Sequence, residues 1–188
     1  MIQESYSVLL VCEDKQIISL IKAFLVAPIF NLTVTEDFYE ASRLSEMRKY
    51  DFIIADSTDS SCVDFAINIS DSEATVLILV NSENFEEISY RVERFGILTV
   101  SKPLESANFY NMIKVAIAVH YKIQALSSQT IKLKTKMEEI RVVNRAKLIL
   151  VEKRGMTESE AHHFLEKEAM DNGLKRIVVA ENIIHEYE

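Results

Sequence analysis

Glycine occurs only 3 times in 188 residues, so no glycine-rich loop able to cradle nucleotide phosphates is hidden in the chain. The 2 cysteines, Cys12 and Cys62, are too few for a disulfide framework; each lies inside a strand-like or helix-like pattern and is expected to be reduced and buried. His120, His162, His163 and His185 have no neighbouring ligand set, which argues against a zinc site. No apolar stretch reaches membrane-spanning length, and the amino terminus lacks the basic start of a signal peptide. These absences predict a cytoplasmic protein that does not associate with membranes.

Acid is in excess, with a formal net charge of -8, but unevenly. Residues 1–121 hold 9 basic against 18 acidic side chains, whereas 122–188 hold 12 against 11. Within 132–154 the balance is 8 basic to 3 acidic. Two regions of different character are therefore expected, and the length allows two domains, the first large enough to bury its own core.

In the first region, continuous apolar runs at 8–11, 52–55, 76–80 and 97–100 read as strands buried on both faces, with a weaker fifth at 32–35. Segments with helical spacing alternate with them: Ile18, Ile21 and Leu25; Ala41, Leu44 and Met47; Phe85, Ile88 and Val92. This alternation predicts an α/β doubly wound, five-stranded parallel sheet, in which ligands bind beyond the carboxyl ends of the strands. Glu13-Asp14, Asp56, Asn81-Ser82 and Lys102-Pro103 each sit just past such a run. Three carboxylates and one ammonium are thus expected at one sheet edge. Any one of them alone reads as a solvated turn or a helix cap; the set of four argues for function.

Through ED at 13–14, IIAD at 53–56 and SKP at 101–103, residues 5–120 resemble the receiver domain of two-component response regulators, a flavodoxin-like fold. The resemblance implies that Asp56 accepts a phosphoryl group from a sensor histidine kinase. It implies Mg2+ held by Glu13, Asp14, Asp56 and the backbone carbonyl of Thr58, and Lys102 as a point charge on the transferred group. The sequence departs from receivers at two points. Asn81, followed by Ser82, stands at the position usually given to a hydroxyl that bonds the phosphoryl oxygen, and an amide can donate the same bond. Thr99 stands where receivers often carry an aromatic switch residue.

The second region opens on a long helical stripe. Phe109, Met112, Ala116, Val119, Ile123, Leu126, Thr130, Leu133, Met137 and Ile140 follow alternating three- and four-residue spacing for more than four heptads without glycine or proline. Such a seam predicts a homodimer through a parallel coiled coil. The competing reading is an amphipathic helix that folds back on its own domain. Serine and threonine in ALSSQT at 125–130 compete for backbone hydrogen bonds, so a break or bend is expected near 127–130.

Further on, Gly155 with basic residues before it marks a helix end, and Thr157-Glu-Ser-Glu160 is a capping box that opens a second helix to about Met170. Asp171-Asn-Gly173 makes a turn, and a third helix is expected over 174–185. Alanines at 146, 161, 169 and 180 permit close approach of three helices, with Phe164 and Leu165 supplying bulk. The stretch RAKLILVEKRGMTESEAHHFLEKEAM, with the following AENII, resembles the ANTAR module over about 137–186. ANTAR modules are the RNA-binding output domains of transcription antitermination regulators. Arg176 departs from the family, where that position is more often apolar.

The expected organisation is a receiver domain at 1–120, a coiled-coil linker helix at 121–136 and a small three-helix all-α ANTAR domain at 137–188. Arg141, Arg145, Lys147, Lys153, Arg154 and Arg176 are the candidate RNA contacts; a solvated helix face is the plainer reading of the same charges. The resulting expectation is a non-enzymatic antiterminator in which phosphorylation at Asp56 promotes dimerisation and binding of leader RNA hairpins. Two rivals stand beside it. One is a pseudo-receiver controlled by a protein partner or ligand without phosphorylation, favoured by Asn81 and Thr99. The other is a DNA-binding regulator, disfavoured because the last helix is largely apolar and its end carries Glu186 and Glu188.

Overall fold

The structure is a computed structural model and describes residues 5–56 and 60–187. The chain divides into two compact units, Met1–Ala125 and Leu126–Glu188. In the first, strands β1 (Tyr6–Val11), β2 (Phe30–Thr35), β3 (Phe52–Asp56), β4 (Thr75–Asn81) and β5 (Leu98–Lys102) form one parallel sheet in the order β2-β1-β3-β4-β5. All five expected strands are present. Successive side chains alternate between the two faces, as the period of a strand requires. Leu9, Val11, Ile53 and Ile78 pack on α2 (Phe38–Met47), α3 (Ser60–Ile69) and α4 (Phe85–Val92). Val8, Leu10, Ile54 and Leu79 pack on α1 (Lys15–Phe24) and the start of α5 (Ser106–Arg154).

The helix α3 has no counterpart in the sequence reading. Its first turn carries no acidic residue and its apolar positions are crowded. Cys62, Val63 and Ala66 nevertheless bury one face against β3 and β4. Neither cysteine forms a disulfide, and both are buried.

Helix α5 is 49 residues long and continues through 127–130. Thr130 directs its hydroxyl to the Leu126 carbonyl at 2.9 Å, so the side chain is satisfied without removing a ladder bond. The expected break does not occur, because helix neighbours on both sides keep the intervening residues in register. The expected seam is also shorter than its spacing suggests. Phe109, Met112 and Ala116 pack into the core of their own sheet, where the 3.6-residue stripe serves intramolecular burial. Leu126, Leu133, Met137 and Ile140 are exposed, Met137 to 70%. Thr130, Asn144 and Leu148 extend the same stripe.

In the second unit, Ala146 and Leu150 of α5, Ala161, Leu165 and Ala169 of α6 (Glu158–Asp171), and Val179, Ala180 and Ile183 of α7 (Arg176–Tyr187) form one core. All four alanines singled out by the sequence are buried in it. The turn between α6 and α7 is a Schellman motif: Leu174 N donates to Ala169 O at 2.9 Å and Gly173 N to Met170 O at 3.2 Å, with Gly173 at φ +63. This motif uses Leu174 as its closing residue, and α7 therefore begins at Arg176 rather than at 174.

The capping box of α6 is complete. Glu160 N donates to Thr157 Oγ1 at 3.2 Å, and Thr157 N donates to Glu160 Oε2 at 2.8 Å. Thr157→Ala should destabilise the full chain by about 1 kcal/mol in urea denaturation, while Thr157→Asp should be close to neutral. The donated amide also holds the Glu160 carboxyl below its ordinary range. A depressed carboxyl stabilises the fold above its unfolded pKa and ceases to do so as pH falls through the folded value. The penalty of Glu160→Ala should accordingly be full at pH 7 and shrink on acidification.

Candidate phosphoacceptor site and output surface

The parallel register brings the polar residues together at the carboxyl edge. Val11 pairs with Ala55, which sets Cys12 beside Asp56, and Asn81 pairs with Lys102 at the ends of β4 and β5. Asp56 is 3% exposed. Lys102 Nζ lies 2.6 Å from Asp56 Oδ1, and the Cys12 thiol donates to Asp56 Oδ2 at 3.5 Å. Burial, and then the negative charge of Asp56, push the Cys12 thiol up to about 12. It is a protonated donor at neutral pH and not a nucleophile.

Asp14 of the acidic pair also has a structural role. Asp14 is the N-cap of α1, and its Oδ1 accepts from Gln16 N at 2.7 Å and Ile17 N at 3.4 Å. Glu13 is exposed. Among the described residues no three acidic, histidine or cysteine side chains converge on one point. Glu13, Asp14 and Asp56 share an edge, but cap formation by Asp14 and ion pairing by Asp56 keep them from forming a closed cluster. Their donor chemistry, hard carboxylate oxygens with Glu13 and one Asp14 oxygen uncommitted, still fits a hard divalent cation. Thr58 lies outside the described residues.

Asn81 and Ser82 are exposed at the end of β4, and Asn81 begins a short 3-10 turn (Ser82–Asn84) without a side-chain cap bond. Thr99 Oγ1 donates to Ser89 Oγ at 2.9 Å, tying β5 to α4 where an aromatic ring was the expected occupant. The contact of Cys12 with Asp56 was not read from the sequence. Its one signal is position, immediately before Glu13 and at the end of the strand that neighbours β3.

The candidate RNA contacts separate into groups. Arg154 donates to the Tyr187 hydroxyl at 2.7 Å, reaches Glu186 at 3.4 Å and lies over the Phe164 ring, 5.1 Å from its centroid. It fastens α5 to α6 and α7. Lys147 pairs with Glu158 at 3.0 Å and Arg176 with Glu166 at 3.1 Å. Arg141 is exposed, 4.0 Å from Glu138. Arg145 and Lys153 are exposed on α5.

Residues 132–184 match the family model of the ANTAR domain. The sheet order and flanking helices are those of receiver domains. The signal receiver domain of an HD domain-containing protein from Pseudomonas fluorescens aligns over 66% of this chain and 96% of its own, with TM-score 0.58 at 16% identity. A structure described as a redox sensor family of the streptococci, evolved from two-component response regulators, aligns over 64% of this chain and 55% of its own, with TM-score 0.56 at 19% identity. The chain thus joins a unit with the fold of receiver domains to a stretch that matches the ANTAR domain. Among characterised regulators, the chain is similar to the transcriptional regulatory protein PdtaR of Mycobacterium tuberculosis, at 26% identity over 151 residues, 79% of this chain and 74% of that protein. No helix among the described residues is long and apolar enough to cross a membrane.

Two outcomes follow from the geometry around Asp56. Lys102→Met leaves a buried carboxylate without its counter-charge and should destabilise the first unit by about 3 kcal/mol; Asp56→Asn in the same chain should restore most of the loss in urea denaturation. Both thiols should resist a disulfide reagent such as DTNB at pH 8 in the folded protein and react at once in urea, since neither is accessible and Cys12 is not ionised.

Proposed function

We propose that this protein is a phosphorylation-controlled transcription antiterminator. Asp56 takes a phosphoryl group from the phosphohistidine of a sensor kinase: a carboxylate oxygen forms the new bond to phosphorus as the bond to the histidine nitrogen breaks. The observation that carries the reading is the 2.6 Å contact of Lys102 with Asp56 at the carboxyl edge of the sheet, in a chain whose second unit matches the ANTAR domain. Lys102 neutralises the acceptor before transfer and stays close enough to balance the charge added by it. Glu13, Asp14 and Asp56, with the Thr58 carbonyl, would hold Mg2+, whose chemistry is to neutralise the phosphoryl oxygens. Asn81 or Ser82 donates a hydrogen bond to one of those oxygens.

Output runs through the organisation 1–120, 121–136 and 137–188. The exposed stripe from Leu126 to Ile140 pairs with that of a second copy as a parallel coiled coil, and the acyl phosphate raises the paired fraction. Two ANTAR domains held side by side bind leader RNA hairpins, through loops whose unpaired bases are accessible, and oppose a terminator hairpin. DNA is the poorer partner, because α7 turns Val179, Ala180 and Ile183 into its own core and carries Glu181 and Glu186 outside.

A second reading has its own support. Thr99 is bonded to Ser89 and Asp14 is committed to a cap. A receiver so arranged can be held by a protein partner or ligand, with no phosphorylation. Beryllofluoride with Mg2+ separates the two readings. The phosphorylation reading expects bound beryllofluoride, a shift towards dimer in sedimentation velocity and stronger retardation of hairpin RNA than of duplex DNA. Asp56→Ala should abolish all response to beryllofluoride while leaving the circular dichroism spectrum unchanged. Sedimentation unaltered by beryllofluoride overturns the switch.

A further inference from the structure

The second unit contains a groove that is not part of the phosphoacceptor site. It has a volume of about 580 Å3 and lies between α5, the start of α6 and the start of α7. Ile140, Val143 and Ile177 form its apolar lining. Around them stand Lys136, Lys147, Lys175 and Arg176, with His162, Asn144 and a single lining carboxylate, Glu139.

Resting on the RNA-binding reading above, we propose that this groove is the seat of the RNA, taking an unstacked loop nucleobase against its apolar floor and the flanking phosphates on its cationic rim. Three observations support the assignment. The side chains of Lys136 and Lys175 make no ion pair among the described residues and are exposed, so two ammonium groups flank an apolar floor whose lining includes one carboxylate, Glu139. Lys147 and Arg176 are held in place by Glu158 at 3.0 Å and Glu166 at 3.1 Å, and His162 Nε2 lies 3.4 Å from that same Glu166. A lysine has three donors and a guanidinium five, so each anchored cation keeps donors for a phosphate while its orientation is already fixed. The volume lies within the range of small-ligand sites and suits one or two bases, whereas a base inside a duplex cannot leave its stack to enter without unpairing.

The groove divides the candidate cations by role. Lys147 and Arg176 face the RNA, joined by Lys136 and Lys175, while Arg154 is structural. Ile140 and Asn144 also belong to the apolar stripe of α5, so a second copy packed along that stripe walls the open side of the groove.

The test is fluorescence anisotropy of the full chain with a labelled RNA hairpin carrying an unpaired loop, over a salt series, with and without beryllofluoride. Lys136→Glu and Lys175→Glu should each weaken binding about tenfold or more and lower the slope of log affinity against log salt by about 0.7 for each phosphate no longer neutralised. Lys167→Glu, exposed on α6 and outside the groove, should change affinity less than twofold. All three side chains are exposed, and unchanged melting curves verify the fold. Hairpin binding by the unaltered protein with both groove variants within twofold of it overturns the groove and leaves the RNA-binding reading standing. Equal competition by fully paired RNA overturns insertion of a base. No binding of the hairpin by the unaltered protein, with or without beryllofluoride, overturns the output reading and the groove with it.

Discussion

The contact between Asp56 and Lys102 governs the first unit. A carboxylate 3% exposed at the end of a central strand is tolerable only with a counter-charge, since desolvation of an isolated ion far exceeds anything a single hydrogen bond returns. The ammonium comes from β5, two strands away in the sheet, so the pair forms only when β3, β4 and β5 are all in register. Fold and acceptor chemistry are in this sense one constraint. Burial, and then the same buried charge, keeps Cys12 protonated, which makes the thiol a hydrogen-bond donor to Asp56.

Helix α5 answers three demands along its length. Its beginning closes one face of the sheet with Phe109 and Ala116, and its end supplies Ala146 and Leu150 to the core of the second unit. Between them, from 126 to 140, no domain core covers it, and its apolar residues face solvent. Burial energy of about 25 cal/mol per Å2 of apolar surface is left unrealised there. The region therefore presents unburied apolar surface.

Much of this could be read from the sequence. Continuous apolar runs located four of the five strands, because a strand covered on both faces has no polar alternation to blur it, whereas the edge strand β2 alternates and showed only weakly. The capping box and the four alanines located α6 and the core of the second unit, since each rests on a short-range geometric requirement. Helix α3 escaped notice because its apolar residues, at 62–63 and 65–67, are too closely spaced to stand out as a single helical stripe. The carboxylates illustrate a deeper limit: an aspartate after a strand has the same local appearance whether it caps a helix or binds a cation, and only the three-dimensional arrangement shows that Asp14 caps α1. Basic residues were similarly alike in sequence. Which of them would be clamped, as Arg154 is by Tyr187, depends on a chain segment more than thirty residues away.

Asn144 lends the exposed stripe a further property. It stands seven residues beyond Met137 and fourteen beyond Thr130, in the same column of the helix surface. Two helices laid side by side in parallel can match amide with amide at this level in one alignment only. A slip of one heptad sets the amide against the thioether of Met137, where it finds no partner for its hydrogen bonds. In a pairing of that kind the residue would work as a vernier mark, weakening the grip of the surface while selecting a single setting.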